Sequence, residues 1–352
     1  MIGNRLTGSD AGRRIGRRPL FALAAAFVAV AAVLTAAAQP ARAEDSDIAP
    51  RASTGCAAPA PAPGESTLSF AALGKSGSYI RNVPPGADRP LPLILDLHGY
   101  LEPAALEHAS TGFGPHGMAN GYLTITPQID ELALPRWEQG ENSVDIAYLG
   151  ELLTHIESTV CVDLRRVYAA GLSMGGFTSS ALACRFSDRI AAIAPVAGLQ
   201  DFAWCDTTRP VPVISFHGTA DPIVAYEGGL GPNARLLPAS DGSGSAGSRG
   251  DRPSANGPGA QSITADADAW ARRNGCGSGD PAEQWVAPEV VLRSYPCPQE
   301  GEVQLYSIVG GGHVWPGTAA TFSPAPLVGA STVAVDATEL IWDFFRAHPM
   351  RT

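Results

Sequence analysis

The stretch that most restricts what this chain can fold into is Gly171-Leu172-Ser173-Met174-Gly175. An apolar run, Val167 to Ala170, leads into it, and a segment of small residues with helical character, Phe177 to Cys184, leads out. Strand, sharp turn and helix in that order are the context in which Gly-x-Ser-x-Gly forms a nucleophile elbow, with the serine held at the tip in a strained backbone conformation. Gly171 and Gly175 carry no Cβ, so strand and helix can approach closely on either side of Ser173. The chain contains 39 Gly, so such a pattern also arises by chance, and its weight depends on what the remaining sequence supplies.

The remaining sequence supplies a regular alternation. Ser66 to Ala72 and Gly77 to Val83 read as two short strands across a Gly turn. Leu91 to Leu97, broken only by Pro92 and Asp96, suits a buried central strand, as do Tyr122 to Thr126 (ending at Pro127), Ile190 to Ala197, Val211 to Phe216 and a last run, Val303 to Ile308. Helical patterns over Val144 to Val160, Ser262 to Arg273 and Ser331 to Ala347 lie between and after them. Strands and helices alternating at this pace predict an α/β fold, a mostly parallel central sheet with helices on both faces. No internal repeat is apparent. Residues 240–260 are dense in Gly, Ser, Pro and Asp and read as a flexible excursion loop, in which Arg249-Gly250-Asp251 is a chance tripeptide.

The amino terminus reads as a targeting segment rather than part of the fold. Arg13, Arg14, Arg17 and Arg18 form a basic region, Leu20 to Ala38 an apolar run, and Ala41-Arg42-Ala43 a small-x-small cleavage site. Residues 1–43 are therefore expected to be a signal peptide, with a membrane anchor as the alternative, and free secretion to the extracellular space follows. Arg17-Arg18-Pro19-Leu20-Phe21 has a loose likeness to a twin-arginine signal. Residues 44–64, rich in Pro, Ala and Ser, read as a flexible leader, and residues 65–352 as a single catalytic domain. After cleavage the chain would carry 309 residues and a net charge of about −15. That surface argues against nucleic acid and anionic membranes as partners. Lys75 is the only Lys, a matter of composition on this reading.

Six Cys in an exported chain suggest disulfides. Six allow 15 connectivities, and sequence does not choose among them. The pairing taken here is Cys276–Cys297, which bracket one short excursion, with Cys184–Cys205 and Cys56–Cys161. No C-x-x-C or Cys/His cluster has zinc spacing, so no metal is expected.

Acyl transfer by a serine needs a base for the hydroxyl proton, an acid to orient that base, and donors for the oxyanion. In α/β-hydrolases the triad follows the order Ser, Asp or Glu, His. Downstream of Ser173 the histidines are His217, His313 and His348. His348 falls at the chain's end, where solvation is expected. His217 closes an apolar run and is followed by Gly218-Thr219-Ala220-Asp221-Pro222; His313 sits in Gly310-Gly311-Gly312-His313-Val314-Trp315-Pro316-Gly317. Asp221 is thereby read as the acid and His313 as the base. Taken singly, Asp221 before Pro222 is also a common turn residue, His313 a loop histidine and His217 a core histidine. His98-Gly99-Tyr100 ends the earlier strand where an oxyanion loop belongs, so the N–H groups of Tyr100 and Met174 are the expected donors, with the His98 side chain a loop anchor. Trp137 and Trp315 are candidate walls of an acyl pocket and equally good core aromatics.

Leu97-His98-Gly99, the stretch from Arg165 to Gly176, Phe216-His217-Gly218-Thr219-Ala220-Asp221-Pro222 and Gly311 to Gly317 together resemble the secreted polyhydroxybutyrate depolymerase/feruloyl esterase group of α/β-hydrolases. The resemblance runs from about Gly77 to the carboxyl terminus and takes in Trp270 and Asn274-Gly275-Cys276, which supports a disulfide at Cys276. It implies Ser173, Asp221 and His313 as nucleophile, acid and base. It further implies action without metal or organic cofactor on hydroxyalkanoate polyesters, feruloylated or acetylated xylan, and small aryl esters. The chain departs from the group in two ways. No linker and polymer-binding domain are expected after Ala347, and Tyr100 stands where depolymerases carry Cys after His-Gly; both argue against insoluble polyester.

The expectation is a secreted, cofactor-independent serine esterase acting on small or oligomeric esters. The rivals are a peptidase of the same fold, for which the added propeller or cap domain is missing, and a non-catalytic binding protein of the same fold. Such a binding protein usually lacks a triad member.

Overall fold

The computed structural model describes residues 48–130, 135–238, 259–318 and 323–351. The expected signal peptide and nearly all of the 240–260 loop lie outside the described residues.

The described strands form a 10-stranded sheet in the order β1-β2-β4-β3-β5-β6-β7-β10-β9-β8. These are β1 (Gly64–Ala72), β2 (Lys75–Val83), β3 (Leu91–Leu97), β4 (Leu123–Ile129), β5 (Val162–Leu172), β6 (Ala192–Val196), β7 (Val213–Gly218), β8 (Ala282–Ala287), β9 (Val290–Ser294) and β10 (Val303–Ile308). The six from β4 through β10 in the middle of that order run parallel. Antiparallel pairs flank them, β1–β2 on one side and β8–β9 on the other. The helices are α1 (Ala104–Thr111), α2 (Phe113–Asn120), α3 (Val144–Thr159), α4 (Met174–Arg185), α5 (Ile263–Arg273), α6 (Ala325–Val328) and α7 (Ala337–Ala347).

Side chains of a strand alternate between faces, and β5 shows both layers being built from one run. Val167 and Ala169 join a core with Leu149 and Leu152 of α3, Phe177 and Leu182 of α4, and Trp270 of α5. Tyr168 and Ala170 face the other way, into a core with Phe113 of α2 and Ile341 and Phe345 of α7. Tyr168 stacks on Phe345 at 4.4 Å. Each such large apolar side chain, once buried, contributes on the order of 1.5–3 kcal/mol.

The helix starts follow capping chemistry. Ser143 Oγ accepts from the N–H groups of Asp145 and Ile146, Ser262 caps α5, and Asp336 accepts from Glu339 N–H at the start of α7. That last cap explains why the final helix begins at Ala337 rather than at Ser331. Strand β4 continues past Pro127: β3 pairs only with Leu123–Ile125, but the antiparallel ladder with β2 runs on to Ile129, with Tyr79 opposite Pro127. Lys75 has a structural role after all: its Nζ lies 2.6 Å from Oδ1 of the buried Asp145 at the start of α3.

The leader reading requires correction over residues 48–58. Ser53 N–H donates to Val162 O at 2.9 Å, Arg51 N–H to Asp163 Oδ1 at 2.8 Å, and Leu164 N–H to Arg51 O at 2.8 Å. Cys56 is disulfide-bonded to Cys161. Composition suggested a free segment, but a covalent link and a short backbone ladder hold it to the start of β5. The other two pairs are Cys184–Cys205 and Cys276–Cys297.

Candidate active site

In a parallel sheet the loops leaving the carboxyl ends of neighbouring strands converge, and four of them build this site. They follow β3, β5, β7 and β10.

The β5 loop is the elbow. Ser173 has φ 58° and ψ −117°, a backbone conformation that side-chain-bearing residues rarely adopt. It is held there by its N–H donating to Val196 O at 2.8 Å and its carbonyl accepting from Phe177 N–H at 3.0 Å. A Cβ at residue 175 would lie 1.7 Å from Leu97 O, so only Gly lets the helix start this close to β3. Met174 opens α4; its N–H has no acceptor within the helix and sits at the positive end of the helix dipole.

Asp221 and His313 come from the loops after β7 and β10, whose backbones are stitched together. Thr219 N–H donates to Ile308 O and Ala220 N–H to Gly311 O, both at 2.9 Å. A Cβ at residue 218 would lie 2.2 Å from Gly311 O, which makes Gly218 a requirement of that contact. His313 N–H is anchored on Val328 O at 2.6 Å. Between the loops, His313 Nδ1 lies 2.7 Å from Asp221 Oδ2. Asp221 Oδ1 accepts from the N–H groups of Ile223 at 2.8 Å and Val224 at 2.9 Å. Burial alone would push the Asp221 carboxyl up. The His313 charge, the hydrogen bonds from His217 and His313 and the His217 charge outweigh it and hold the group well below the usual carboxylate range. With Nδ1–H given to a carboxylate, Nε2 of His313 is the nitrogen left to take a proton.

His217 is a core histidine that also serves this acid. Its Nε2 lies 2.9 Å from Val224 O and 3.3 Å from Asp221 Oδ2, and it is 1% exposed. His348 is not solvated as its position suggested. It is buried, with Nδ1 2.7 Å from Phe344 O and Nε2 3.0 Å from Glu302.

The β3 loop carries His98, Gly99 and Tyr100. Burial pushes the His98 imidazole down to about 4, against the opposing effect of its 2.8 Å contact with Gly99 O, so it stays neutral. Trp137 lies against it, ring centroids 4.6 Å apart, and donates Nε1–H to His98 O at 3.0 Å. Met174 Sδ accepts Trp137 N–H at 3.2 Å, so this residue ties the β3 loop to the elbow. Tyr100 turns its hydroxyl to Pro238 O at 2.9 Å.

The two tryptophans do not fit the role of pocket walls, for each is 2% exposed. Trp137 is the loop clamp just described. Trp315 packs edge-on against Phe113 at 5.5 Å and donates Nε1–H to Thr338 at 3.0 Å, within the core on the α2–α7 side of the sheet. A buried indole whose N–H is already used offers a substrate little surface.

Three acids at this site escaped the sequence reading. Asp96, Glu102 and Glu107 gather behind the β3 loop; Asp96 and Glu107 are 0% exposed. Only the position of Asp96 inside an apolar run could have flagged it.

No family model matches the chain. Feruloyl esterase B of Piromyces equi is 29% identical over 237 residues, 64% of this chain and 40% of that protein. The bifunctional acetylxylan esterase/xylanase XynS20E of Neocallimastix patriciarum is 26% identical over 136 residues, 39% of this chain and 20% of that protein. The chain thus spans well under half the length of these two relatives. The putative esterase NocK of Nocardia uniformis subsp. tsuyamanensis is 26% identical over 294 residues, 77% of this chain and 79% of that protein. Among solved structures, acetyl xylan esterase from Aspergillus awamori superposes with a TM-score of 0.55 at 12% identity, covering 80% of this chain and 100% of that one. The fold is that of the α/β-hydrolases.

Proposed function

We propose that the chain is a secreted serine esterase, with a catalytic domain over residues 65–352, that cleaves feruloyl or acetyl esters carried by plant polysaccharide. The observation that carries this reading is the His313–Asp221 pair at 2.7 Å, with Ser173 at the tip of a positive-φ elbow after β5, separated from β7 by β6 alone in the same sheet. The names of the similar proteins favour feruloyl and acetylxylan esters over hydroxyalkanoate oligoesters.

In this mechanism Ser173 Oγ attacks the ester carbonyl while His313 Nε2 takes its proton. Asp221 holds the ring in the Nδ1–H tautomer and stabilises the imidazolium as it forms. The oxyanion rests on the N–H groups of Met174 and Tyr100, each such donor accounting for about 10²–10³ in kcat. His313 then protonates the leaving alcohol, and water, activated by the same imidazole, releases the acid. None of these steps calls for a metal or an organic cofactor.

The test is hydrolysis of methyl ferulate, acetylated xylan, p-nitrophenyl acetate and a soluble hydroxybutyrate oligomer by wild type and Ser173→Ala. Turnover of the first two by wild type, with loss of about 10³-fold or more in the variant, is the expected result. Preference for the hydroxybutyrate oligomer would move the substrate to polyester, and a wild type inert on all four would sink the esterase reading.

A further inference from the structure

We propose that Glu102 and Glu107 hold one proton between them and act as a positioning pair, fastening the β3 loop at Gly99 to the elbow at Leu172 and presenting their single negative charge to His313. The inference rests on His313 being the catalytic base.

The fastening is visible in the hydrogen bonds. Glu102 Oε2 accepts Gly99 N–H at 3.0 Å, and Glu102 N–H returns to Gly99 O at 3.3 Å. Glu107 Oε1 accepts the N–H of Leu172, the residue before Ser173, at 3.0 Å. The two side chains are in hydrogen-bond contact with each other. One chain of contacts therefore runs from Gly99 through Glu102 and Glu107 to Leu172. It joins the loop bearing one proposed oxyanion donor to the turn bearing the nucleophile. Gly99 is itself wedged in this junction: a Cβ there would lie 2.8 Å from Glu102 Oε2 and 3.5 Å from Ser173 Cβ.

Two ionised carboxylates are both acceptors and cannot hydrogen-bond, so one of the pair carries a proton. The surroundings decide which. Glu107 is 0% exposed, and its Oε2 is a buried oxygen to which no other group donates. A proton on that oxygen, given to Glu102, satisfies it. Burial, the Glu102 and Asp96 charges and the bond to Glu102 all keep Glu107 protonated, with only the Leu172 N–H opposing them. Burial leaves Glu102 raised as well, but less than Glu107, because the bond from Glu107, the Gly99 N–H and the His313 charge favour its ionised form.

The other titratable groups around the pair do not compete for this role. Asp96 on β3 is occupied by the hydroxyls of Thr111 and Thr126, at 3.0 and 3.1 Å, and burial pushes it up to about 7. His98 is neutral, and His108 of α1 turns away to Asn82 at 2.8 Å and Glu65 at 3.4 Å. Glu102 is then a second carboxylate, besides Asp221, whose charge interacts with the His313 side chain.

Three variants and one spectrum test this. Glu107→Gln keeps an oxygen for Leu172 N–H and offers an N–H to Glu102, so it mimics the protonated acid; kcat/KM should stay within about twofold of wild type. Glu107→Leu keeps the bulk but breaks the chain of contacts, and kcat should fall tenfold or more with KM little changed. Glu102→Gln removes the Glu102 charge while keeping an oxygen for Gly99 N–H, and the acidic limb of the kcat/KM profile should move down by about half a pH unit or more. A purely structural role would scale the whole profile without moving that limb. The infrared difference between wild type and Glu107→Gln at pH 7 should show loss of a protonated-carboxyl band. Loss of an ionised-carboxylate band instead, an unshifted limb in Glu102→Gln, or Glu107→Gln as impaired as Glu107→Leu would overturn the proposal. The spectrum needs no substrate and no Leu variant. An inert wild type would thus sink the esterase reading while the shared proton was still judged.

Discussion

Replacing Asp221 by Asn should cost about 10⁴ in kcat, and the structure says why the loss should be that large. Oδ1 of Asp221 accepts two backbone N–H groups, from Ile223 and Val224, while Oδ2 faces His313 Nδ1 at 2.7 Å. An Asn side chain keeps its oxygen where the two amide donors are, because the opposite orientation would set its NH₂ against both of them. Its NH₂ is then forced toward His313, and a donor at Nδ1 drives the ring proton to Nε2. A protonated Nε2 cannot accept the Ser173 hydroxyl proton. The same NH₂ also meets the Nε2–H of His217, 3.3 Å from Oδ2, so no third orientation relieves the conflict. With the imidazole in the wrong tautomer, a loss of about 10⁴ corresponds to about 5.4 kcal/mol of transition-state stabilisation. The assay is kcat on p-nitrophenyl acetate and methyl ferulate for wild type, Asp221→Asn and Ser173→Ala, with circular dichroism confirming folding. If Asp221→Asn keeps a tenth or more of kcat while Ser173→Ala is inactive, Asp221 is not the residue that sets the His313 tautomer.

Three further outcomes follow from the same contacts. Breaking Cys56–Cys161, which spans 105 residues, with paired Ser substitutions should cost about 4.7 kcal/mol and lower Tm by about 10 °C, read by calorimetry without reductant. Trp137→Phe leaves the buried His98 carbonyl without its 3.0 Å donor; it should cost about 1–3 kcal/mol by denaturant unfolding and lower kcat more than it changes KM. Asp221 has a depressed carboxyl in the folded state, so its ionisation adds stability that is fully present above the unfolded value near 3.9 and is lost as pH falls toward the folded value. The Tm difference between wild type and Asp221→Asn should accordingly be largest near neutral pH and shrink below about pH 4.

Much of this arrangement was legible in the sequence because parallel sheets leave a strong trace. Buried strands such as Leu91–Leu97 and Val213–Gly218 are mostly apolar runs, and Ser173, Asp221 and His313 each lie in the loop that follows such a strand. The glycines at 171, 175 and 218 mark places where backbone touches backbone, so they carry information about the fold as well as the turn. What escaped notice has equally physical reasons. Helices α1 and α2 are eight residues each, separated by Gly112 at φ 66°, too short for an apolar period to show. Strand β8 is almost wholly exposed, Trp285 at 61%, so it carries no buried alternation. Residues 48–58 look like linker by composition, but a single disulfide and a few backbone bonds override composition. Trp137 and Glu107 act through contacts 37 and 65 residues away in sequence, which no local pattern encodes.

If Ser173 is an activated nucleophile, a reagent that captures such serines covalently should find it. The protein would be treated with a fluorophosphonate, a reagent that phosphonylates activated serines, and the adduct located by peptide mass spectrometry. One label per chain is expected, on Ser173, absent from Ser173→Ala and strongly slowed in His313→Ala. An unlabelled wild type, or a label on any other residue, would contradict that expectation.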